Sequence, residues 1–155
     1  MNMKEMCKKF LDDLDGIITD SFYDDDGNGF VELDIENPDT VEKNIQIEID
    51  SEYYGFSYCC YDEIYSYDGT ESDKIPLICN KIRSILGKTA CVIKIETADD
   101  EIYKLAEITA IDNNSLAKLI SEETSDAKDG KLKIILWNTE IEKEFSYDGE
   151  EYVFF

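Results

Sequence analysis

Asp24, Asp26 and Asn28 stand at alternate positions in the stretch YDDDGNGFVELDIEN, residues 23–37, with Gly29, Val31 and Glu32 behind them and Tyr23 in front. Oxygen-bearing side chains at that spacing can wrap a calcium ion, because the loop turns sharply at the glycine and aims successive oxygens at one centre. The spacing holds as far as Glu32. It fails at the twelfth place, where two carboxylate oxygens should close the site: Ile35 stands there, with Glu36 one residue late. Val31, Leu33 and Ile35 also alternate with Glu32, Asp34 and Glu36, the period of a strand, and Pro38 stops any helix within two turns. The preceding GIITDSFY is rich in β-formers, so the stretch reads as a hairpin with residues 27–29 at its tip. Weak calcium binding at the same turn is the alternative.

A second stretch, SEYYGFSYCCYDEIYSYDG, places six of the ten tyrosines between Tyr53 and Tyr67. Alternation puts Tyr54, Phe56, Tyr58 and Cys60 on one face and Tyr53, Ser57, Cys59 and Tyr61 on the other, and two such faces cannot both fill one core. Tyrosine offers a large contact area at low entropic cost and is enriched in interfaces, and carboxylates beside it would pair with a basic surface. The candidate partner-binding residues are therefore Glu48, Asp50, Glu52, Tyr53, Tyr54, Tyr58, Tyr61, Asp62, Glu63, Tyr65, Tyr67 and Asp68. The alternative is a strand buried on both sides, its hydroxyls bonded to backbone.

Catalysis finds little to work with. There is no histidine, which excludes Ser-His-Asp and Cys-His nucleophile pairs and histidine-bound metals. Arg83 is the single arginine, so paired guanidinium clamps on phosphate cannot be built. The glycine-rich phosphate loops and the nucleophile elbow are absent, and no pair of acids stands out among thirty-seven as a glycosidase pair. No catalytic residue, metal ligand set or cofactor site is nominated, and the expectation is a binding protein rather than an enzyme. The five cysteines, Cys7, Cys59, Cys60, Cys79 and Cys91, are odd in number and lack a C-x-x-C, so buried free thiols are expected in place of disulfides or zinc.

Charge narrows the partner. The formal net charge is -22, and it is unevenly spread: residues 10–73 hold twenty acids against Lys43 alone, whereas residues 74–155 hold sixteen acids and eleven bases. Such a chain repels nucleic acid and anionic membrane and attracts basic proteins. Solubilising or halophilic acidity is the bland alternative, but it would be spread along the chain. The longest apolar runs, such as IILW at 134–137, are far too short to span a bilayer, and the N-terminus lacks the apolar core of a signal peptide, so a cytoplasmic location is expected.

These residues need elements to position them. Met3, Met6, Cys7, Phe10, Leu11 and Leu14 form a helical stripe over 2–15, ended by Gly16. A second stripe, Ile75, Ile78, Cys79, Ile82, Ile85 and Leu86, predicts a helix with Asp73 as its cap and Gly87 as its stop. A third helix is predicted to open at Asn113 or Asn114 and to carry Leu116, Ala117, Leu119 and Ile120. NIQIEID alternates as a half-exposed antiparallel strand. ACVIKIET with EIYKLAEIT, and KLKIILW with EIEKEFSY, read as hairpins, and Asp148-Gly149 is expected to make a two-residue turn into EEYVFF. The sum is one α+β domain over 1–155: an antiparallel sheet of several hairpins with about three helices.

In size, charge and layout the chain resembles the immunity proteins of bacterial polymorphic-toxin and contact-dependent inhibition systems. The resemblance is carried by IQIEID, YYGFSYCCYDEIYSYDG and DKIPLICNKIRSILG. It implies that the chain binds a cognate basic toxin, a nuclease by preference, and covers its active site or a neighbouring surface. A nucleic-acid mimic of phage origin, of the anti-restriction or anti-CRISPR type, would use the same electrostatics and is the second reading; a calcium-responsive module is the third.

Overall fold

Asn2 opens the first helix with a reciprocal cap: its side chain accepts the Glu5 backbone N–H at 2.9 Å, and the Glu5 carboxylate accepts the Asn2 N–H at 3.1 Å. Each arm satisfies an amide that the helix cannot, a stabilisation of about 1 kcal/mol. The helix, α1 (Met3–Asp13), buries Met6, Cys7 and Phe10. This geometry comes from a computed structural model that describes residues 2–24, 29–67, 73–108, 111–124 and 127–155. The chain divides into two compact units, Met1–Arg83 and Ser84–Phe155, with the boundary inside α2 (Ile75–Leu86).

In the first unit β1 (Asp20–Tyr23), β2 (Val31–Ile35), β3 (Ile45–Ile49), β4 (Tyr53–Tyr58) and β5 (Tyr61–Ser66) form an antiparallel meander in chain order. The register places Leu33 opposite Ile47 and Ile47 opposite Phe56. Val31, Leu33, Ile35, Ile45, Ile47, Ile49, Tyr54, Phe56 and Tyr58 therefore share one buried face, and α1 packs on β3. Each of these aliphatic side chains gains roughly 2 kcal/mol from burial. A one-residue slip would turn all of them to water, so the hydrophobic alternation fixes the register.

In the second unit the order is β10-β9-β8-β6-β7, built from β6 (Ala90–Glu96), β7 (Glu101–Glu107), β8 (Asp129–Ile135), β9 (Glu140–Tyr147) and β10 (Tyr152–Phe154). β7 and β8 both pair antiparallel with β6, so they run parallel to each other and need a crossover. The connection contains α3 (Asn113–Glu123), whose Leu116 and Ile120 pack on Cys91, Ile93, Ile95, Leu132, Ile134 and Phe145. Gly130 is required here: a Cβ would fall 2.7 Å from the Phe145 ring and 2.5 Å from the Glu96 carbonyl oxygen.

The α+β expectation is realised as three α-helices and two five-stranded antiparallel sheets among the described residues. The predicted cap of α2 is present, Asp73 accepting the Ile75 N–H at 2.9 Å; α3 opens at Asn113 as expected, and Asp112, not singled out from the sequence, caps it by accepting the Ser115 N–H at 2.7 Å. Three details differ. The left-handed residue after α2 is Lys88, with φ +61°, one place beyond the glycine expected to take it. The β9–β10 connection spans four residues, not two; Asp148 accepts the N–H groups of Glu150 and Glu151 and only Gly149 has positive φ. Finally, Cys7, Cys79 and Cys91 are buried thiols as expected, but Cys59 is half-exposed and Cys60 exposed, because they form the β4–β5 turn.

β1 and β2 pair antiparallel, and the Asp24 N–H donates to the Phe30 carbonyl at 2.9 Å, as a hairpin over 23–37 requires. β2 also stands where a calcium loop would lead into a helix. Residues 25–28, with Asp26 and Asn28, lie outside the described residues, as does Asp68. Among the described residues no helix is long and apolar enough to cross a membrane.

Candidate protein-binding face

Alternation along each strand and register across them determine what the far side of the first sheet presents. One cross-strand row reads Phe22, Glu32, Glu48, Gly55, Ile64; the next reads Asp20, Asp34, Gln46, Ser57, Asp62. Five carboxylates, Asp20, Glu32, Asp34, Glu48 and Asp62, thus share a face on which the strands place no base. Phe22, Tyr53 and Ile64 stand among them at 58%, 47% and 64% exposure. Asp20 lies directly opposite Asp34, and Glu32 directly opposite Glu48, an arrangement that destabilises a sheet.

The protonation equilibria carry the same signature. Partial burial, then the charges of Asp34, Glu48 and Asp20, raise the Glu32 carboxyl above its ordinary range. Partial burial, then Asp20 and Glu36, raise Asp34. Desolvation and like-charge repulsion both oppose the ionised form.

The nominated residues divide between the two sides of this sheet. Glu48, Tyr53 and Asp62 belong to the acidic face. Asp50 and Glu52 sit in the β3–β4 connection, where Asp50 Oδ1 accepts the Glu52 and Tyr53 N–H groups at 2.7 and 2.6 Å. Tyr54 and Tyr58 require correction as partner contacts. They are 5% and 1% exposed, because the alternation of β4 that brings Tyr53 outward turns them into the core. Tyr61, Glu63 and Tyr65 pair across β4–β5 with Tyr58, Phe56 and Tyr54, so they too lie on the core side, at its rim.

That rim is internally bonded. Tyr61 and Tyr65 donate to Glu63 at 2.7 and 2.6 Å, and Lys81 of α2 donates to both its oxygens at 2.6 and 2.8 Å. Burial opposes the charge on Glu63, but the bonds from Lys81, Tyr65 and Tyr61 outweigh it and hold the carboxyl below its ordinary range. Burial, then the bond to Glu63, pushes Tyr61 well up. Tyr67 donates to the Asp50 carbonyl at 2.6 Å, and its ring lies 5.8 Å from that of Tyr54. Tyr61, Glu63, Tyr65 and Tyr67 thus join β5 and its flank to the rest of the unit.

Asp20, Phe22, Glu32, Asp34 and Ile64 were not nominated from the sequence. Their polar-side positions follow from alternation, but their convergence on one face needs the register. No protein-family model matches the chain, and no curated protein or solved structure matches it.

Proposed function

We propose that this chain is an acidic inhibitor that binds a basic protein toxin, best fitted by a nuclease, and neutralises it by covering its active site or an adjacent surface. The observation that carries the reading is the outer face of the first sheet, on which the strands place carboxylates and no base, with Phe22, Tyr53 and Ile64 among them. Folding gains nothing from gathering like charges on one side of a sheet. A cleft that holds a nucleic-acid backbone is lined with lysine and arginine, and carboxylates spaced along strands can occupy it as phosphates do. Charge then steers encounter over about 8 to 10 Å, and the exposed apolar groups supply contact once docked.

The test is affinity purification from the native host, identification of the co-purifying protein, and measurement of its activity with and without this chain. The expected result is a basic toxin that is inhibited stoichiometrically, with association slowing as salt rises. Charge reversal at Glu48 and Asp62 should weaken binding by roughly a hundredfold or more, since like-charge juxtaposition costs several kcal/mol. Reversal of Glu142 and Glu144 on the second sheet should change it little. An acidic partner, or equal effects of the two pairs, overturns the reading.

A further inference from the structure

The acidic face has a centre. Row and strand neighbours surround Gly55 with Glu48 on the β3 side, Ile64 on the β5 side, and Tyr53 and Ser57 along β4. A hollow of about 200 Å³ lies there, with Glu48, Asp50, Tyr53, Gly55, Asp62 and Ile64 in its lining. A side chain is excluded at Gly55, because its Cβ would run into the Glu63 carbonyl oxygen. The close approach of β4 and β5 therefore admits only glycine in the middle of the face.

We propose, on the reading that this face binds a basic protein, that the hollow over Gly55 receives one arginine side chain of that partner. Its stem lies on Ile64 and its guanidinium sits among Glu48, Asp50 and Asp62, beside the ring of Tyr53. Asp50 is fixed in place by the two N–H groups it accepts. Glu48 and Asp62 have no ion-pair partner among the described residues, so their charge is available to a ligand. The three carboxylates reach the hollow from β3, the β3–β4 connection and β5, which suits a cation with several donors fanned in a plane. Arginine supplies five, stacks on an aromatic ring and leaves water more readily than an ammonium group, whereas lysine is a compact, strongly hydrated point charge. Asp20, Glu32 and Asp34 carry charge on the β1–β2 side of the face, away from the hollow, and act there as a field.

The experiment is an NMR titration of the full chain, at low ionic strength, with capped Gly-Gly-Arg-Gly-Gly and with the lysine and norleucine versions of that peptide. The expected result is saturable shifts centred on the Gly55 amide and the Ile64 methyls, strongest for arginine and absent for norleucine. Glu48→Gln with Asp62→Asn should weaken the arginine peptide by about fivefold or more, the loss of charge-assisted bonds at a partly exposed site. Glu32→Gln with Asp34→Asn should change it by less than about twofold. Lysine binding as tightly as arginine overturns the assignment of the occupant. Shifts spread evenly over the face, with both variant pairs equivalent, overturn the hollow and leave the acidic inhibitor standing. No shift anywhere on the face removes both.

Discussion

The two sheets share an architecture and differ in how they treat charge. On the outer side of the second sheet, Lys94, Lys131 and Lys133 occupy the inner strands β6 and β8, and glutamates flank them. Lys94 Nζ lies 2.9 Å from Glu101 and 3.4 Å from Glu96, and Lys133 Nζ lies 3.4 and 3.7 Å from Glu142 and Glu140. Hydrogen bonding to Glu101 raises the Lys94 ammonium well above its ordinary value. The first sheet has the same strand number and alternation but no lysine among its carboxylates. Its cations are used elsewhere: Lys81 on Glu63, Arg83 on Asp13 and Lys9 on Asp73. A polar sheet surface is neutralised within this chain on the second sheet and left uncompensated by the strands of the first.

The largest expected effect sharpens this contrast by comparing two carboxylates that do have cations. The Glu63 side chain is mostly buried and accepts from two phenols and an ammonium group. Glu63→Gln strands those donors in a half-buried rim and should lower stability by about 2 kcal/mol. Glu142→Gln, in an exposed pair, should lie within about 0.5 kcal/mol of the parent. Urea unfolding of both variants checks this. Equal losses would mean that the Glu63 network is no more than a surface ion pair.

Alternation made most of this visible in advance. The strands of 45–49, 90–96 and 140–147 and the stripe of α2 follow from spacing alone, since burial selects for a period of two or 3.6. The tyrosine stretch shows where that logic stops. Spacing separated Tyr53 from Tyr54 and Tyr58, but which set met the core depended on Ile47 lying opposite Phe56, a long-range pairing. Nothing local to Glu63 reveals that Lys81, eighteen residues on, reaches it. The acidic face was legible as excess charge in residues 10–73, not as a surface, because its rows join residues from Asp20 to Ile64.

A smaller effect tests the repulsion directly. Glu32 and Asp34 titrate above the ordinary carboxylate range of about 4. In the window just above that range the folded chain binds more protons than the unfolded one, so stability falls as pH rises through it and grows as pH drops back. Below the ordinary range the sign reverses. Asp13 is held low first by its bond from Arg83; Glu63 and Asp73 are held low by Lys81 and Lys9 against burial. Their contributions are present above the unfolded value and lost as pH falls through the folded one. Stability should therefore peak in mild acid, and at neutral pH moderate sodium chloride should raise the melting temperature by screening. Glu32→Gln with Asp34→Asn should stabilise by about 1 kcal/mol, or roughly 3 °C for this length, and flatten both responses. Lys133→Gln on the second sheet should not stabilise. A melting temperature that falls with salt would mean that attraction outweighs repulsion on the first sheet.

The smallest effect compares one connection from each sheet. The β4–β5 turn places Cys59 and Cys60 at φ +48° and +65°, the positive angles at both central positions that define the favoured two-residue hairpin and that asparagine and glycine normally supply. L-residues with a full side chain lose about 1 to 2 kcal/mol each in that region. The β9–β10 connection meets its need with glycine, at φ +103° and with nothing within 4 Å of where a Cβ would stand. Substitution should therefore act in opposite directions. Cys59→Asn with Cys60→Gly relieves the left-handed angles, offset in part by the greater freedom glycine gives the unfolded chain, and should gain up to about 1 kcal/mol. Gly149→Ala, in open space, should lose about 1 kcal/mol through backbone angle alone. Thermal unfolding of the two variants gives the sign of each. The cysteines also offer something: Cys59 Sγ donates to the Glu42 carbonyl at 3.8 Å, a weak bond that asparagine would have to replace. A loss on replacing the pair would show that this thiol contact, and not the backbone angles, decides the turn, and the hairpin at the edge of the acidic sheet would then be held by its side chains.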